Sequence, residues 1–143
     1  KGQYYDYMGI YAGGTKQPVT DEVVAEKGHL LQFVKKFPKT LNAEMWSMMS
    51  RTLCERIGVT PDDVDHFFLT QININSIRAT MDILKQPYDK AQTSMHYYGY
   101  TGSACVPLAF QDRLEAGKIK RGDMIFFIGS GGGLAFASAA FRF

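Results

Sequence analysis

The feature that most constrains this chain is the short run His66-Phe67-Phe68-Leu69-Thr70, set between two helical patterns. A strand with one face in water alternates apolar and polar residues. A run without that alternation has both faces covered, which is the habit of strands in parallel sheets. The helical pattern before it covers Asn42 to Ile57: Met45, Trp46, Met49, Leu53 and Ile57 form one stripe, Asn42 is placed to cap, Glu44 lies in the first turn and Gly58 closes the end. Thr60-Pro61-Asp62-Asp63 then reads as a short capped turn. The pattern after the run covers Asn73 to Lys85 and stops before Pro87.

The same alternation continues. Gln92 to Met95 is expected to be a strand, Ser103 to Ala116 a helix closed by Gly117, and Arg121-Gly122-Asp123 a turn. Met124 to Gly129 and Leu134 to Phe143 read as two more strands separated by Ser130 to Gly133. Helices alternating with strands imply an α/β fold, a mostly parallel sheet covered by helices. The last two strands are joined too closely to be parallel, so they are expected to pair antiparallel. Residues 1–40 differ in character. Tyr4, Tyr5, Tyr7 and Tyr11 alternate with Gly2, Gly9, Gly13 and Gly14, as in extended chain and turns, and the helical signal from Thr20 to Lys39 is weak. They read as a connecting segment ahead of a domain over residues 41–143.

Composition serves mainly to exclude. A net charge of +2 with no block of like charges gives no footprint for nucleic acid. No apolar run reaches the roughly 18 residues that span a membrane. The two cysteines, Cys54 and Cys105, lie in apolar surroundings and read as reduced and buried, in keeping with a cytoplasmic protein. His29, His66 and His96 form no metal-binding spacing, so no metal is expected. The chain opens on Lys1 inside a patterned segment, which reads as a fragment, a processed product or a chain whose first half lies elsewhere.

Chemistry in such folds collects where strands end and helices begin. The first junction is Thr70-Gln71-Ile72-Asn73. The second runs from His96 to Ser103; Tyr97, Tyr98 and Tyr100 there read as packing aromatics, or as a wall suited to an acyl or pantetheine chain, with His96 as a candidate lining residue. The third is Gly129-Ser130-Gly131-Gly132-Gly133. That loop lacks the Lys-Ser/Thr of a phosphate loop and leads into a strand, so it is no P-loop, and it reads first as a tight turn. Its bare backbone would let a ligand carbonyl approach an N–H.

Read together, these segments resemble the C-terminal domain of ketoacyl-acyl-carrier-protein synthase III in the thiolase superfamily, most clearly from Val59 to Phe143. The stretch from Tyr98 to Ala104 is similar to the family's "GNTSAAS" segment. Gly117-Lys118-Ile119-Lys120-Arg121-Gly122-Asp123 is similar to its "DGRIKRGD" turn, and Gly129 to Phe143 to its closing glycine-rich segment. The resemblance implies an α/β thiolase-like half, with a mixed five-stranded sheet covered by helices, pairing with a second similar half. It also implies a transferase of fatty acid or polyketide-type metabolism that acts on acyl-CoA and acyl-carrier-protein thioesters without a cofactor. The nucleophile would lie in the absent N-terminal half, and a homodimer, or a heterodimer with a synthase homologue, would form. An acyl-carrier protein is a further partner.

Two positions depart from the family pattern. Its "PHQAN" reads Leu69-Thr70-Gln71-Ile72-Asn73 here, which puts Thr70 at the catalytic His; its "GNT" reads Gly99-Tyr100-Thr101, which puts Tyr100 at the catalytic Asn. By the same resemblance Gly132 corresponds to the backbone donor of the oxyanion hole, and Gln71, Asn73, His96, Ser130 and Gly131 are the substrate-contacting candidates. A Thr hydroxyl is a weak donor and no base near neutral pH. Ordinary decarboxylative condensation is therefore not expected at normal rates, and the chain alone is expected to be inactive. The alternative is a non-catalytic subunit of the same fold that pairs with an active synthase.

Overall fold

The structure is a computed structural model describing residues 1–143. The chain divides into two compact units, Lys1–Pro38 with Gly132–Ala135, and Lys39–Gly131 with Phe136–Phe143.

In the first unit a short 3-10 turn, Gly2–Tyr4, leads to strand β1, Met8–Gly9; helix α1, Asp21–Ala25, and strand β2, Gln32–Phe33, follow. The Thr20 hydroxyl caps α1 by accepting the Val23 N–H at 3.3 Å. Strands β1 and β2 pair antiparallel, with Met8 opposite Phe33. The tyrosine-rich segment finds aromatic partners within its own unit. Tyr7 stacks on Phe37 at 5.5 Å, and Tyr4 meets Tyr7 edge-on at 4.9 Å.

The second unit holds helix α2, Leu41–Ile57, strand β3, His66–Leu69, helix α3, Ile74–Leu84, the short helix α4, Met95–Tyr98, helix α5, Cys105–Glu115, and strand β4, Met124–Gly131. Strand β5, Ala135–Arg142, belongs to it from Phe136 onward. The sheet order is β3-β4-β5. β3 and β4 run parallel, with Phe67 opposite Phe126 and Leu69 opposite Ile128. β4 and β5 are neighbours joined by three residues, Gly132 to Leu134, and so short a link permits only an antiparallel return.

The sheet is covered on both faces, as the unalternating run in β3 requires. Phe67, Leu69, Phe126 and Ile128 pack with Trp46, Ile77 and Met81 from α2 and α3. Phe68 and Ile125 point the other way and pack with Ala109 and Phe110 of α5. Phe67, Phe68 and Phe126 have no exposed surface. Each such side chain contributes about 1.5–3 kcal/mol by leaving water.

The large-residue stripe of α2 holds in part: Trp46 is fully buried and Met49 and Leu53 pack on the core, and small residues widen the buried face. The buried line includes Ala43, Ser47, Ser50 and Cys54, whereas Met48 and Ile57 are exposed. Four small side chains lie on that buried line. Their hydroxyls return to the helix: Ser47 donates to the Ala43 carbonyl at 2.7 Å and Ser50 to the Trp46 carbonyl at 2.8 Å. Gly58 ends α2 at φ 71°, a left-handed position that favours glycine. The helix cap sits at Thr40 rather than Asn42, which lies inside the first turn.

Three further expectations change in detail. The mixed α/β architecture holds, but the five strands are split between a three-stranded sheet and the separate β1–β2 pair. Gln92 to Met95 is not a strand: Ala91 alone bridges Phe67, and residues from Met95 turn into α4. A side chain supplies the bonds that a ladder would have made there, as described below. Finally, β4 runs through Gly131, so Ser130 and Gly131 are strand residues and the connecting loop is shorter than the glycine pattern implied.

Candidate functional site

Thr70 is the first residue past β3 and is almost wholly buried. Its N–H donates to the Ile128 carbonyl at 3.1 Å, which continues the parallel ladder by one step. Its hydroxyl oxygen accepts the Ser130 N–H at 2.9 Å. Thr70 is thus tied to β4 by backbone and side chain together. The hydroxyl oxygen is an acceptor here, and its own proton has no protein acceptor among the hydrogen bonds.

Gln71 is buried to 1 % exposure, and its carboxamide is fully engaged. Nε2 donates to the Leu69 carbonyl at 2.9 Å and to the Gln92 carbonyl at 3.1 Å, while Oε1 accepts the Ser94 N–H at 2.9 Å. Two carbonyls at one end and an N–H at the other admit only this orientation of the amide. The Gln71 backbone N–H points to the Cys105 Sγ at 3.3 Å, at the start of α5. Gln71 therefore has its polar groups turned to the protein.

Asn73 caps α3, its Oδ1 accepting the Asn75 N–H at 2.9 Å. It also lines a cavity of about 610 Å³ between the first turns of α2 and α3, with Lys39, Thr40, Glu44, Asn75 and Ile83 among the walls. None of the other site candidates lines that cavity. His96 is exposed on α4 and tilts against Tyr97 at 4.0 Å between centroids. Tyr97 is 78 % exposed and Tyr100 49 %, so the aromatic wall faces outward rather than into the core. Tyr98 donates to Asp112 at 3.0 Å, and that carboxylate acceptor pushes the phenol above its ordinary value.

The structure thus connects Thr70, Gln71 and Ser130 directly and leaves His96 and Tyr100 on a loop whose root Gln71 holds. Gly131 ends β4 with open space where a side chain would begin, and Gly132 falls in the first unit. No group of His, Cys, Asp and Glu side chains is placed to hold a metal ion. No helix is long and apolar enough to cross a membrane.

A polar bracket at the opposite end of the strands escaped the sequence. Arg113 Nε donates to His66 Nδ1 at 2.8 Å, which leaves Nε2 to carry the ring proton and donate to Asp123 at 2.9 Å. Arg113 also reaches Gln92 Oε1 at 3.2 Å. Burial lowers the Arg113 guanidinium from its ordinary value. The Lys120 N–H, and after it the His66 ring, hold the Asp123 carboxyl below the usual carboxylate range. The partners of His66 lie 47 and 57 residues away and carry no local signal.

Residues 54–143 match the model of the 3-oxoacyl-[acyl-carrier-protein] synthase III C-terminal family. The beta-ketoacyl-[acyl-carrier-protein] synthase III of Aliarcobacter butzleri (strain RM4018) is 33 % identical over 147 residues, covering 99 % of this chain and 43 % of that protein. The crystal structure of 3-oxoacyl-(acyl carrier protein) synthase III from Pseudomonas aeruginosa PAO1 superposes on the whole chain with a TM-score of 0.84 at 22 % identity, covering 43 % of that structure. The Thermus thermophilus synthase III structure gives 0.82 at 21 % identity, again over 43 % of its length. At those identities the structures establish a shared fold. The chain spans well under half the length of these relatives.

Proposed function

The chain belongs to the 3-oxoacyl-[acyl-carrier-protein] synthase III family through its C-terminal domain, and we propose that it is the C-terminal half of an acyltransferase acting on acyl-CoA and acyl-carrier-protein thioesters, with decarboxylative condensation suppressed. The acyl carbon would pass from the thioester sulfur to a nucleophile in the other half, and the departing thiolate would take up a proton. Synthase III relatives and the intact strand-end scaffold support the acyl-transfer part of the reading.

The observation that carries the second part is the state of Thr70. Its hydroxyl oxygen accepts the Ser130 N–H at 2.9 Å, so this position offers at most one neutral O–H where the family pattern has an imidazole. Tyr100 adds one phenol on an exposed loop where the pattern has a carboxamide. Condensation builds negative charge on the thioester oxygen, and removing one donor from such a site costs about 10²–10³ in rate. Two weakened positions leave condensation well below acyl transfer. The burial of Thr70 also favours a second reading, in which the chain is a non-catalytic subunit that pairs with an active synthase homologue.

Incubating the full-length protein with an acyl-CoA and measuring intact mass separates the two. One acyl mass gained supports the transferase; no adduct overturns it and leaves the subunit reading. The pair Thr70→His with Tyr100→Asn is expected to raise malonyl decarboxylation by about 10²-fold or more. No gain would overturn the assignment of the loss to these positions.

A further inference from the structure

We propose that Gln71 is a positioning residue, a clamp on the loop carrying His96 and Tyr100: its carboxamide stands in for a strand peptide at the near foot, and its backbone N–H meets the far foot. A parallel ladder begins beside β3, where Ala91 bridges Phe67 and the Gln92 N–H donates to the Phe67 carbonyl at 3.3 Å. One step further on, no neighbouring peptide continues it. The Gln71 side chain does: it gives a proton to the Gln92 carbonyl and takes one from the Ser94 N–H, as a strand residue would. Its second Nε2 proton returns to the Leu69 carbonyl at 2.9 Å, which locks the side chain to the end of its own strand.

The far foot of the loop is held by the same residue through its main chain, where the Gln71 N–H meets the Cys105 Sγ. Between these feet lie α4 and the segment up to Ala104, including His96, Tyr97, Tyr98 and Tyr100, all exposed. Gln71 thus touches both roots of the loop, while Tyr98 ties its middle to Asp112 and Arg113 holds the Gln92 side chain. A carboxamide 99 % withdrawn from water would be a poor choice for filling space, since burying amide groups costs energy unless every one is paired. Its value lies in direction: it sets where the loop leaves the sheet, and hence where Tyr100 stands relative to Thr70.

The clamp is a statement about the loop; only its consequence for acyl transfer rests on the proposed function. The test uses the full-length protein and amide hydrogen exchange resolved along residues 91–105. Gln71→Met keeps the approximate volume and removes the pairing. Exchange at Ser94 and over 95–104 is expected to rise on the order of tenfold or more, since buried partners are left unpaired, while Phe67, Phe126 and Ile128 stay within about twofold of the parent protein. Gln71→Glu supplies the discriminating case. The neutral acid accepts from Ser94 and donates one proton to a carbonyl; the carboxylate faces two carbonyls with none to give. Loop protection relative to the parent protein is then expected in acid and lost as pH rises, a dependence absent from Gln71→Met. An unchanged loop in Gln71→Met, an equal rise across the sheet, or no pH dependence in Gln71→Glu would each overturn the clamp. The acyl-adduct assay on the same proteins is read separately. Slower adduct formation in Gln71→Met ties the clamp to catalysis, whereas no adduct in the parent protein removes the acyl-transfer reading and leaves the exchange result to decide the clamp.

Discussion

Replacing Thr70 by Val tests whether the hydroxyl at the end of β3 has become part of the sheet. The two side chains have nearly the same shape, so the buried space stays filled and only the acceptor for the Ser130 N–H is removed. A neutral hydrogen bond contributes about 0.5–1.5 kcal/mol, and a fully buried donor left unpaired costs about 1–3 kcal/mol. Ser130 is half-buried, so water recovers part of that loss, and an effect of about 1–2 kcal/mol is expected at this point of the sheet. In amide exchange of the full-length protein this is on the order of a tenfold acceleration at Ser130, since 1.4 kcal/mol is a factor of ten. Thr70→Ser keeps the oxygen and is expected to leave Ser130 protected. Equal exchange in Thr70→Val and the parent protein would show that the hydroxyl does not hold β4, and the account of Thr70 as an engaged acceptor would fail.

Three further outcomes are expected. Phe67→Ala empties a site with no exposed surface and removes an edge-on contact with Phe126 at 5.7 Å; a loss of about 3–5 kcal/mol should appear in the denaturant midpoint. Arg113→Met leaves His66 Nδ1 and Gln92 Oε1 without their donor and should cost about 1–3 kcal/mol by the same measurement, and Arg113→Lys should recover little because an ammonium cannot present two N–H groups in a fixed fork. The Asp123 carboxyl lies below its ordinary value in the folded protein, so its contribution is present above the unfolded value, near pH 4, and is lost as pH falls through the folded one. Asp123→Asn should therefore flatten the stability profile below about pH 4.

The elements that could be read from the sequence are those whose signal is local. Phe67-Phe68-Leu69 demanded cover on both faces, and α3 and α5 supply it from the two sides. Gly58 and the pattern from Asn42 located α2 to within a residue at its start. The misread segment, Gln92 to Met95, failed for a physical reason: its hydrogen-bond partner is the side chain of Gln71, which no strand propensity describes. The buried face of α2 was legible only in part: Trp46 marks it, whereas Ser47 and Ser50 carry no hydrophobic signal for their burial.

By itself the sequence determined the α/β class and the main helices and strands of residues 41–143, because periodicity is a property of neighbouring residues, and the resemblance aligned Thr70 and Tyr100 with the family's His and Asn. Only the tertiary structure decided that the Thr70 oxygen is an acceptor for Ser130, that Gln71 spends its amide on the backbone, and that Arg113 sets the tautomer of His66. Each of those pairings joins residues far apart in the chain, and a donor's partner depends on strand register and loop path, which take shape when the sheet assembles.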